Sequence, residues 1–332
     1  MTARPTQLDA HFAAEVMERP GGKHLLTCMA CGTCASVCLV RRFYPSFNPR
    51  RVLHQASLGM REAVLSSPEI WLCSACDACY PRCPQEIHIS EVMGALRDLA
   101  IEAGYEAPGP FPVVDSAVCS GCAVCARVCP YEAMAPARDE ADPTRQTAHV
   151  DHTRCLHCGL CVAACPSGAI SLEETNDQEI LARVTADGWM EQRGLLSGGT
   201  QPRCLAFVCQ WSIRSDAAWE RAQRFGDQVR LVPLPCSGRV EPAMVLWALS
   251  RGVDAVLVVG CDDDECHYQR GTYIGRSKVY LLSEMLATMG YQQERVRFAR
   301  QASADRYGLE RHVQEMLATI TTLTAPIAVT VD

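Results

Sequence analysis

Sixteen cysteines in this chain fall into four copies of one spacing, C-x2-C-x2-C-x3-C, and any fold must bring their thiols where that spacing allows. The runs are "CMACGTCASVC" (Cys28, Cys31, Cys34, Cys38), "CSACDACYPRCP" (Cys73, Cys76, Cys79, Cys83), "CSGCAVCARVCP" (Cys119, Cys122, Cys125, Cys129) and "CLHCGLCVAACP" (Cys155, Cys158, Cys161, Cys165). Three of the four continue into proline. Three thiolates at steps of three wrap one loop around a cuboidal cluster, with backbone N–H groups aimed at its sulfides. The fourth lies where the chain turns helical and points away, so it ligates the other cluster of a pair. Structural zinc more often takes two thiolates from one knuckle and two from a distant segment, so the spacing selects [4Fe–4S] clusters.

Pairing the runs predicts four such clusters. In the first pair, Cys28, Cys31 and Cys34 join Cys83, while Cys73, Cys76 and Cys79 join Cys38. In the second, Cys119, Cys122 and Cys125 join Cys165, while Cys155, Cys158 and Cys161 join Cys129. The alternative, each run closing on its own cluster, is disfavoured by the direction of the fourth cysteine.

The bulk numbers set the setting for this chemistry. An odd total of 21 cysteines in 332 residues argues against a disulfide framework, and the N-terminal stretch has no continuous apolar core of a signal peptide. No apolar run reaches the ~18–20 residues of a membrane helix. The expectation is a cytoplasmic chain without a membrane span. A hydrophobic fraction of 48% fits globular folding, and a net charge of -7 argues against a nucleic-acid partner.

The two pairs sit in different surroundings. "FNPRRVLHQASLGMREAVLSSPEIWL", between Cys38 and Cys73, carries apolar residues at helical intervals, and "ISEVMGALRDLAIEAG" is an amphipathic helix closed by Gly104. The first unit, residues 1–107, is therefore expected to be all-helical. "YEAPGPFP" follows as a stiff extended linker. Residues 113–173 instead hold short β-like pieces, "TAHVD" and "AISLEE", around a polar loop "ARDEADPTRQ".

Residues 174–200 read as a helix, "DQEILARVTADGW", and a glycine-rich connector, "GLLSGGTQP". From 201 to 332 strands alternate with helices: "RCLAFVC", "QVRLVPLPC", "AVLVVGC" and a weaker "ERVRFAR" are separated by "SDAAWERAQRFG", "EPAMVLWALSRG" and "RSKVYLLSEMLATMG", and closed by "ADRYGLERHVQEMLATI". That alternation predicts an open parallel α/β sheet covered on both faces. Three strands end in cysteine, Cys209, Cys236 and Cys261, and parallel strands place these thiols at one edge, where functional groups of such sheets gather. Cys266 follows from the opening loop. Cys204 begins its strand and is read as a small buried core residue. Four converging thiolates are open to zinc, [2Fe–2S], [4Fe–4S] or free thiols on spacing alone; the four upstream runs tilt the choice to iron–sulfur.

The residues also carry resemblances. "CMACGTCASVC", "FNPRRVLHQASLGM" and "IWLCSACDACYPRCP" resemble the small iron–sulfur subunit of heterodisulfide reductases over about residues 10–105, a helical ferredoxin-type domain; Leu39 departs from the proline usual there. The second unit with "DQEILARV" resembles the two-cluster α+β ferredoxin tail of the flavoprotein subunit of those complexes. Residues 201–300, at "FVCQW", "PCSGRVEP" and "GCDDDECHYQRG", resemble the delta subunit of methyl-viologen-reducing hydrogenase. That resemblance implies one [2Fe–2S] cluster passing electrons from a hydrogenase or formate dehydrogenase to the flavoprotein. Ser212 departs from it, where the family usually has a second cysteine, so the site rests on Cys209, Cys236, Cys261 and Cys266. The chain has no G-x-G-x-x-G and no adjacent cysteine pair, so neither a flavin fingerprint nor the CCG motif of the catalytic subunit is present.

Other residues near the thiols have plainer readings. His267, Tyr268 and Arg270 are taken first as loop packing, Asp262 to Glu265 as a solvated turn, and Trp71 and Trp211 as shielding. His157 is read as a hydrogen-bonding neighbour of a cluster. The expectation is an electron-transfer subunit of a low-potential or flavin-bifurcating complex, partnered by flavoprotein and catalytic subunits. The rivals are a self-sufficient thiol/disulfide oxidoreductase at the C-terminal cysteines and a zinc-stabilised scaffold.

Overall fold

The computed structural model describes residues 8–38, 40–41, 44–109, 111–139, 142–172, 176–189, 202–213, 216–302 and 304–323; Leu39 and residues 194–201 of the connector lie outside them. Two compact units divide the chain: Met1–Gly109 with Asp151–Leu156, and Pro110–Val150 with His157–Asp332.

Helices and turns build the first unit, with no strand among its described residues. The stretch between the first two ligand runs forms three helices, Pro49–Ser57, Arg61–Leu65 and Glu69–Leu72. Asn48 starts the first by accepting the Arg51 N–H at 3.3 Å, with Pro49 at the opening position. Gly59 ends it in a left-handed turn, φ 76°, and a Cβ there would lie 2.3 Å from the Asp9 carbonyl oxygen. Ile89–Glu102 forms the long helix of the unit and ends at the left-handed Gly104. Its Val92, Met93, Leu96 and Leu99 pack with Phe12, Val16, Phe47, Leu53 and Ile70 in one core, each such side chain contributing about 1.5–3 kcal/mol by leaving water. Arg97 on this helix is 4% exposed. It donates through Nε to the Ile70 carbonyl at 2.8 Å and through Nη2 to the Cys73 carbonyl at 2.5 Å. The helix thereby holds the entrance of the second ligand run.

In the second unit, residues 112–150 and 170–172 supply two antiparallel ribbons. Strand β1 (Pro112–Val114) pairs with β4 (Ile170–Leu172), and β2 (Met134–Arg138) pairs with β3 (Gln146–Val150). The sequence pattern marks β3 and β4, but β1 begins where an extended linker is expected and β2 carries Pro136. Each of these two strands pairs along one side among the described residues, which is where proline is tolerated.

Four parallel strands follow, β5 (Cys204–Cys209), β6 (Val229–Leu234), β7 (Ala255–Cys261) and β8 (Val296–Gln301), in the order β6-β5-β7-β8. Every residue of β5 and β7 is buried, as a sheet covered on both faces requires. Leu205, Phe207, Val256 and Val258 face Val245, Val279 and Leu286, while Ala206, Val208, Leu257 and Val259 face Ala222, Val313 and Met316. The helix Asp177–Thr185 is capped by Asn176, which accepts the Glu179 N–H at 2.9 Å, and its Ile180 and Val184 join the first of these layers. The helix expected from Arg276 starts five residues earlier, spanning Gly271–Thr288. Gly271 and Gly275 look like helix breakers, but they sit where the helix meets the turn after β6. A Cβ on Gly275 would lie 3.0 Å from the Ser237 carbonyl.

Candidate metal centres

All four ligand loops share one backbone device. The second and fourth residues after the first cysteine have positive φ in every run: Ala30 and Gly32, Ala75 and Asp77, Gly121 and Ala123, His157 and Gly159. Single left-handed residues between right-handed ones turn successive N–H groups into a common concavity suited to an anion. A non-glycine residue in this region costs roughly 1–2 kcal/mol, so the repetition marks a geometry that the loops maintain. Where the fourth cysteine is followed by proline, its third successor is also left-handed: Glu86, Glu132 and Gly168. After Cys38, which lacks that proline, Arg41 is helical instead.

In the first unit, Cys28, Cys31, Cys34 and Cys83 line one cavity of about 350 Å³. Burial pushes the Cys34 thiol up to about 11, with Cys28, Cys31 and Cys83 as charged neighbours. Cys73, Cys76, Cys34 and Cys38 likewise surround Cys79, whose thiol burial drives upward. Cys73 is raised by burial to about 11 against the opposing charge of Arg97. Trp71 packs on the core beside them, 5.9 Å beneath the Arg97 guanidinium.

In the second unit, Cys119, Cys122, Cys125 and Cys165 line a cavity of about 380 Å³. Cys129 and Cys161 share a core with Met134, Ile170 and Leu172, and Cys129 Sγ accepts the Ala133 N–H at 3.4 Å. Cys155, which with Asp151–Leu156 belongs to the first unit, donates its N–H to the Asp151 carbonyl at 3.0 Å. His157 stands edge-on to Phe111 at 4.6 Å. Among the described residues no three Cys, His, Asp or Glu side chains close around a single ion. Soft thiolates around such a space fit an iron–sulfur core. Making buried thiols into ligands releases their protons, a step that burial and neighbouring thiolates oppose.

The fifth group lies at the carboxyl edge of the parallel sheet. Cys209 and Cys261 end β5 and β7, and their Sγ atoms are 3.7 Å apart. Cys236 follows β6 and Cys266 follows the turn Asp263–Glu265. A Cβ on Gly271 would lie 2.2 Å from Cys236 Sγ and 3.7 Å from Cys266 Sγ, so the two thiols flank the start of that helix. Gly238 N donates to Cys236 Sγ at 3.4 Å and Thr272 N to Cys266 Sγ at 3.3 Å. The thiol of Cys261 is raised well above its ordinary value by its hydrogen bond with Cys209 and by burial; that of Cys236 is raised by burial. Cys204 sits at the opposite end of β5, fully buried in the apolar layer and pushed up to about 12 by burial. Ser212 is 1% exposed and donates its hydroxyl to the Cys209 carbonyl at 2.7 Å. It closes the strand end.

The acidic run beside this site is drawn into ion pairs. Asp263 binds Arg276 at 2.9 Å and Arg300 at 2.8 Å, and the Asp262 side chain accepts the Asp263 N–H. Arg270 is exposed at the helix start. Trp211 stacks on His267 at 3.4 Å and donates to the Tyr268 hydroxyl at 3.1 Å. Burial pushes His267 down to about 3, so its ring is neutral. Its Nδ1, with Ser237 Oγ and Tyr131 Oη, is buried without a hydrogen-bond partner among the described residues. Such orphans fit a site completed by a group carrying acceptor sulfurs.

This edge also meets the fourth ligand run. A Cβ on Gly238 would strike Leu160 Cδ2 at 2.3 Å, and one on Gly159 would strike Arg239 Cδ at 2.6 Å. Lys278 Nζ donates to the carbonyls of Ala163 at 3.2 Å and Gly238 at 3.0 Å. Arg239 is fully buried, paired with Asp177 and, at 3.2 Å, with Glu241. The sequence pattern does not single out Gly238, Arg239, Tyr131, Gly271 or Lys278. The signal available was Gly238 and Arg239, two and three residues after Cys236, and Gly271, five residues after Cys266.

Three families match separate stretches of the chain. The family described as methyl-viologen-reducing hydrogenase, delta subunit, matches residues 204–324, and families described as 4Fe-4S dicluster domains match residues 118–169 and 24–87. An iron-sulfur subunit of the F420-non-reducing hydrogenase of Archaeoglobus profundus is 36% identical over 99 residues, 29% of this chain and 72% of that protein. One subunit of the H(2):CoB-CoM heterodisulfide,ferredoxin reductase of Methanothermobacter thermautotrophicus is 33% identical over 105 residues, 32% of this chain and 56% of the relative. One subunit of the ferredoxin:CoB-CoM heterodisulfide reductase of Methanosarcina mazei is 31% identical over 221 residues, 64% of this chain but 26% of the relative. The chain thus spans about half of the Methanothermobacter protein and a quarter of the Methanosarcina one. It belongs to the methyl-viologen-reducing hydrogenase delta-subunit family, with two 4Fe-4S dicluster domains in the same polypeptide.

Proposed function

We propose that this chain is the electron-transfer subunit of a heterodisulfide-reductase-like complex, joining an electron-entry site to two cluster pairs that serve a catalytic partner. Cys209, Cys236, Cys261 and Cys266 hold the entry cluster, [2Fe–2S] by family likeness, and the sixteen cysteines of the four runs hold four [4Fe–4S] clusters in the swapped pairing. Bound clusters supply one-electron acceptance and donation. The chain's residues fix where this occurs. The left-handed loop positions turn N–H groups inward, Arg97 and Lys278 pin ligand loops, and the apolar layers keep water from Cys209, Cys236 and Cys261.

The observation that carries this reading is the contact of the C-terminal thiol edge with the fourth ligand run, Gly238 on Leu160 and Lys278 bridging Ala163 and Gly238. Bare glycines bring two thiol sites together, as a relay requires and a separate substrate pocket does not. The relatives are named as subunits of hydrogenase and heterodisulfide reductase complexes, which supports a flavoprotein and a catalytic subunit as partners, with a hydrogenase or formate dehydrogenase as donor. Flavin-based bifurcation would take place on the flavoprotein. The test is pre-steady-state reduction of the anaerobic chain by a low-potential donor: the Cys209→Ser variant should lose fast reduction of the ferredoxin-type clusters. Unchanged kinetics would refute the entry role.

One observation favours a second reading. Cys209 and Cys261 lie 3.7 Å apart, a separation also open to a dithiol–disulfide couple. Turnover of a disulfide by the isolated chain would support it, and inertness would leave the relay.

A further inference from the structure

Three buried polar atoms, two of them on residues that directly follow C-terminal ligand cysteines, have no partner of their own among the described residues: His267 Nδ1, Ser237 Oγ and Tyr131 Oη. His267 and Ser237 each directly follow a ligand position in the chain. His267 follows Cys266 and is 3% exposed; Ser237 follows Cys236 and is 1% exposed. Tyr131 is buried in the field of Cys158, Tyr268, Cys236 and Cys266. Buried polar groups are nearly always hydrogen-bonded, because stranding one forfeits its bonds to water. Three strandings around one site call for a common acceptor.

The ring of His267 is held in place. Trp211 stacks on it at 3.4 Å, Tyr268 meets it edge-on at 4.7 Å, and its backbone N–H reaches the Cys261 thiol. Trp211 is fixed in turn by its bond to the Tyr268 hydroxyl. Ser237 also needs room beside β7: a Cβ on Gly260 would lie 2.8 Å from its Oγ. The nearby carboxylate of Asp263 is engaged by Arg276 and Arg300. That packing leaves His267 Nδ1, Ser237 Oγ and Tyr131 Oη without a hydrogen-bond partner among the described residues.

Resting on the reading that Cys209, Cys236, Cys261 and Cys266 hold a cluster, we propose that His267, Ser237 and Tyr131 donate hydrogen bonds to its sulfurs and so raise its reduction potential. Hydrogen bonds to cluster and thiolate sulfur stabilise the more negative, reduced state. His267 acts as a positioning and tuning residue, and the four thiols complete the ligand set without it. Tyr131 comes from the segment that carries the third ligand run, and Cys158, Cys236 and Cys266 are among its charged neighbours.

An EPR-monitored redox titration of the anaerobic full-length chain tests this, with His267→Phe, His267→Gln, Ser237→Ala and Tyr131→Phe. The C-terminal signal of His267→Phe should titrate at a more negative potential, making its reduction about tenfold less favourable, or 59 mV for a one-electron couple. His267→Gln, which keeps an N–H donor, should restore most of the shift. Ser237→Ala and Tyr131→Phe should each move the signal in the same direction. An unmoved potential in His267→Phe overturns the proposal. So does loss of that site's iron in both His267 variants, which would make His267 a ligand. Should only His267→Phe fail to load, Ser237→Ala and Tyr131→Phe decide, and no shift in either overturns it. Failure of the underlying reading looks different: Cys209→Ser would then carry the same iron and the same signals as the parent.

Discussion

Gly271→Ala isolates the C-terminal site with a single methyl group. The added Cβ would lie 2.2 Å from Cys236 Sγ. Ordinary contact between such atoms needs ~3.5–4 Å, so the thiol or the helix must move by roughly 1.5 Å. Neither can retreat easily. Cys236 is followed by a turn whose Gly238 carbonyl is held by Lys278, and Thr272 Oγ1 ties the helix start to the Cys261 carbonyl at 3.1 Å. Val279, Leu282 and Leu286 anchor the rest of the helix on the sheet. Metal sites tolerate ligand displacements of about 0.2 Å, so the variant should fail to hold the C-terminal cluster while the ferredoxin-type sites stay filled. Iron analysis and low-temperature EPR after anaerobic purification read both at once. Gly94→Ala is the control. It lies inside Ile89–Glu102 with no atom within 4 Å of the new methyl, and should keep all iron while stabilising the helix by about 1 kcal/mol. Full iron and an intact C-terminal signal in Gly271→Ala would refute the proposed ligand geometry.

Ala75→Gly should stabilise the first unit by about 0.5–1 kcal/mol in thermal unfolding, because φ 47° strains a side chain but not glycine; destabilisation by a similar amount would contradict the left-handed loop. Arg97→Met should strand the Ile70 and Cys73 carbonyls, costing about 2–4 kcal/mol and lowering iron retention on gel filtration. An unchanged melting curve would argue that the buried guanidinium is dispensable. Cys204→Ala should keep the parent's iron and lose only about 1–2 kcal/mol of stability by denaturant titration; iron loss there would reassign that thiol.

The strands of the parallel sheet were legible because both faces are covered, which leaves short continuous apolar runs such as "AVLVVG" between turn residues. Their common direction follows from the helices between them, and cysteines that end parallel strands must then share an edge. The start of Gly271–Thr288 was illegible for a physical reason. Its glycines answer the demand for space beside Cys236 and Ser237, a tertiary constraint that local propensity does not contain. The strand β2 was hidden by Pro136, tolerable only on a ribbon edge. The paired left-handed positions were hidden too, because alanine, aspartate and histidine fill five of the eight and glycine only three. Tyr131, Gly238 and Lys278 escaped notice because their significance arises where one part of the second unit meets another, far apart in sequence.

Iron and acid-labile sulfide counted on anaerobically purified and reconstituted chain test the central claim most directly. The account predicts about sixteen irons from the four ligand runs and about two more from a [2Fe–2S] site at the sheet edge, with matching sulfide. Fewer than about eight irons per chain, or stoichiometric zinc in a colourless protein, would contradict it.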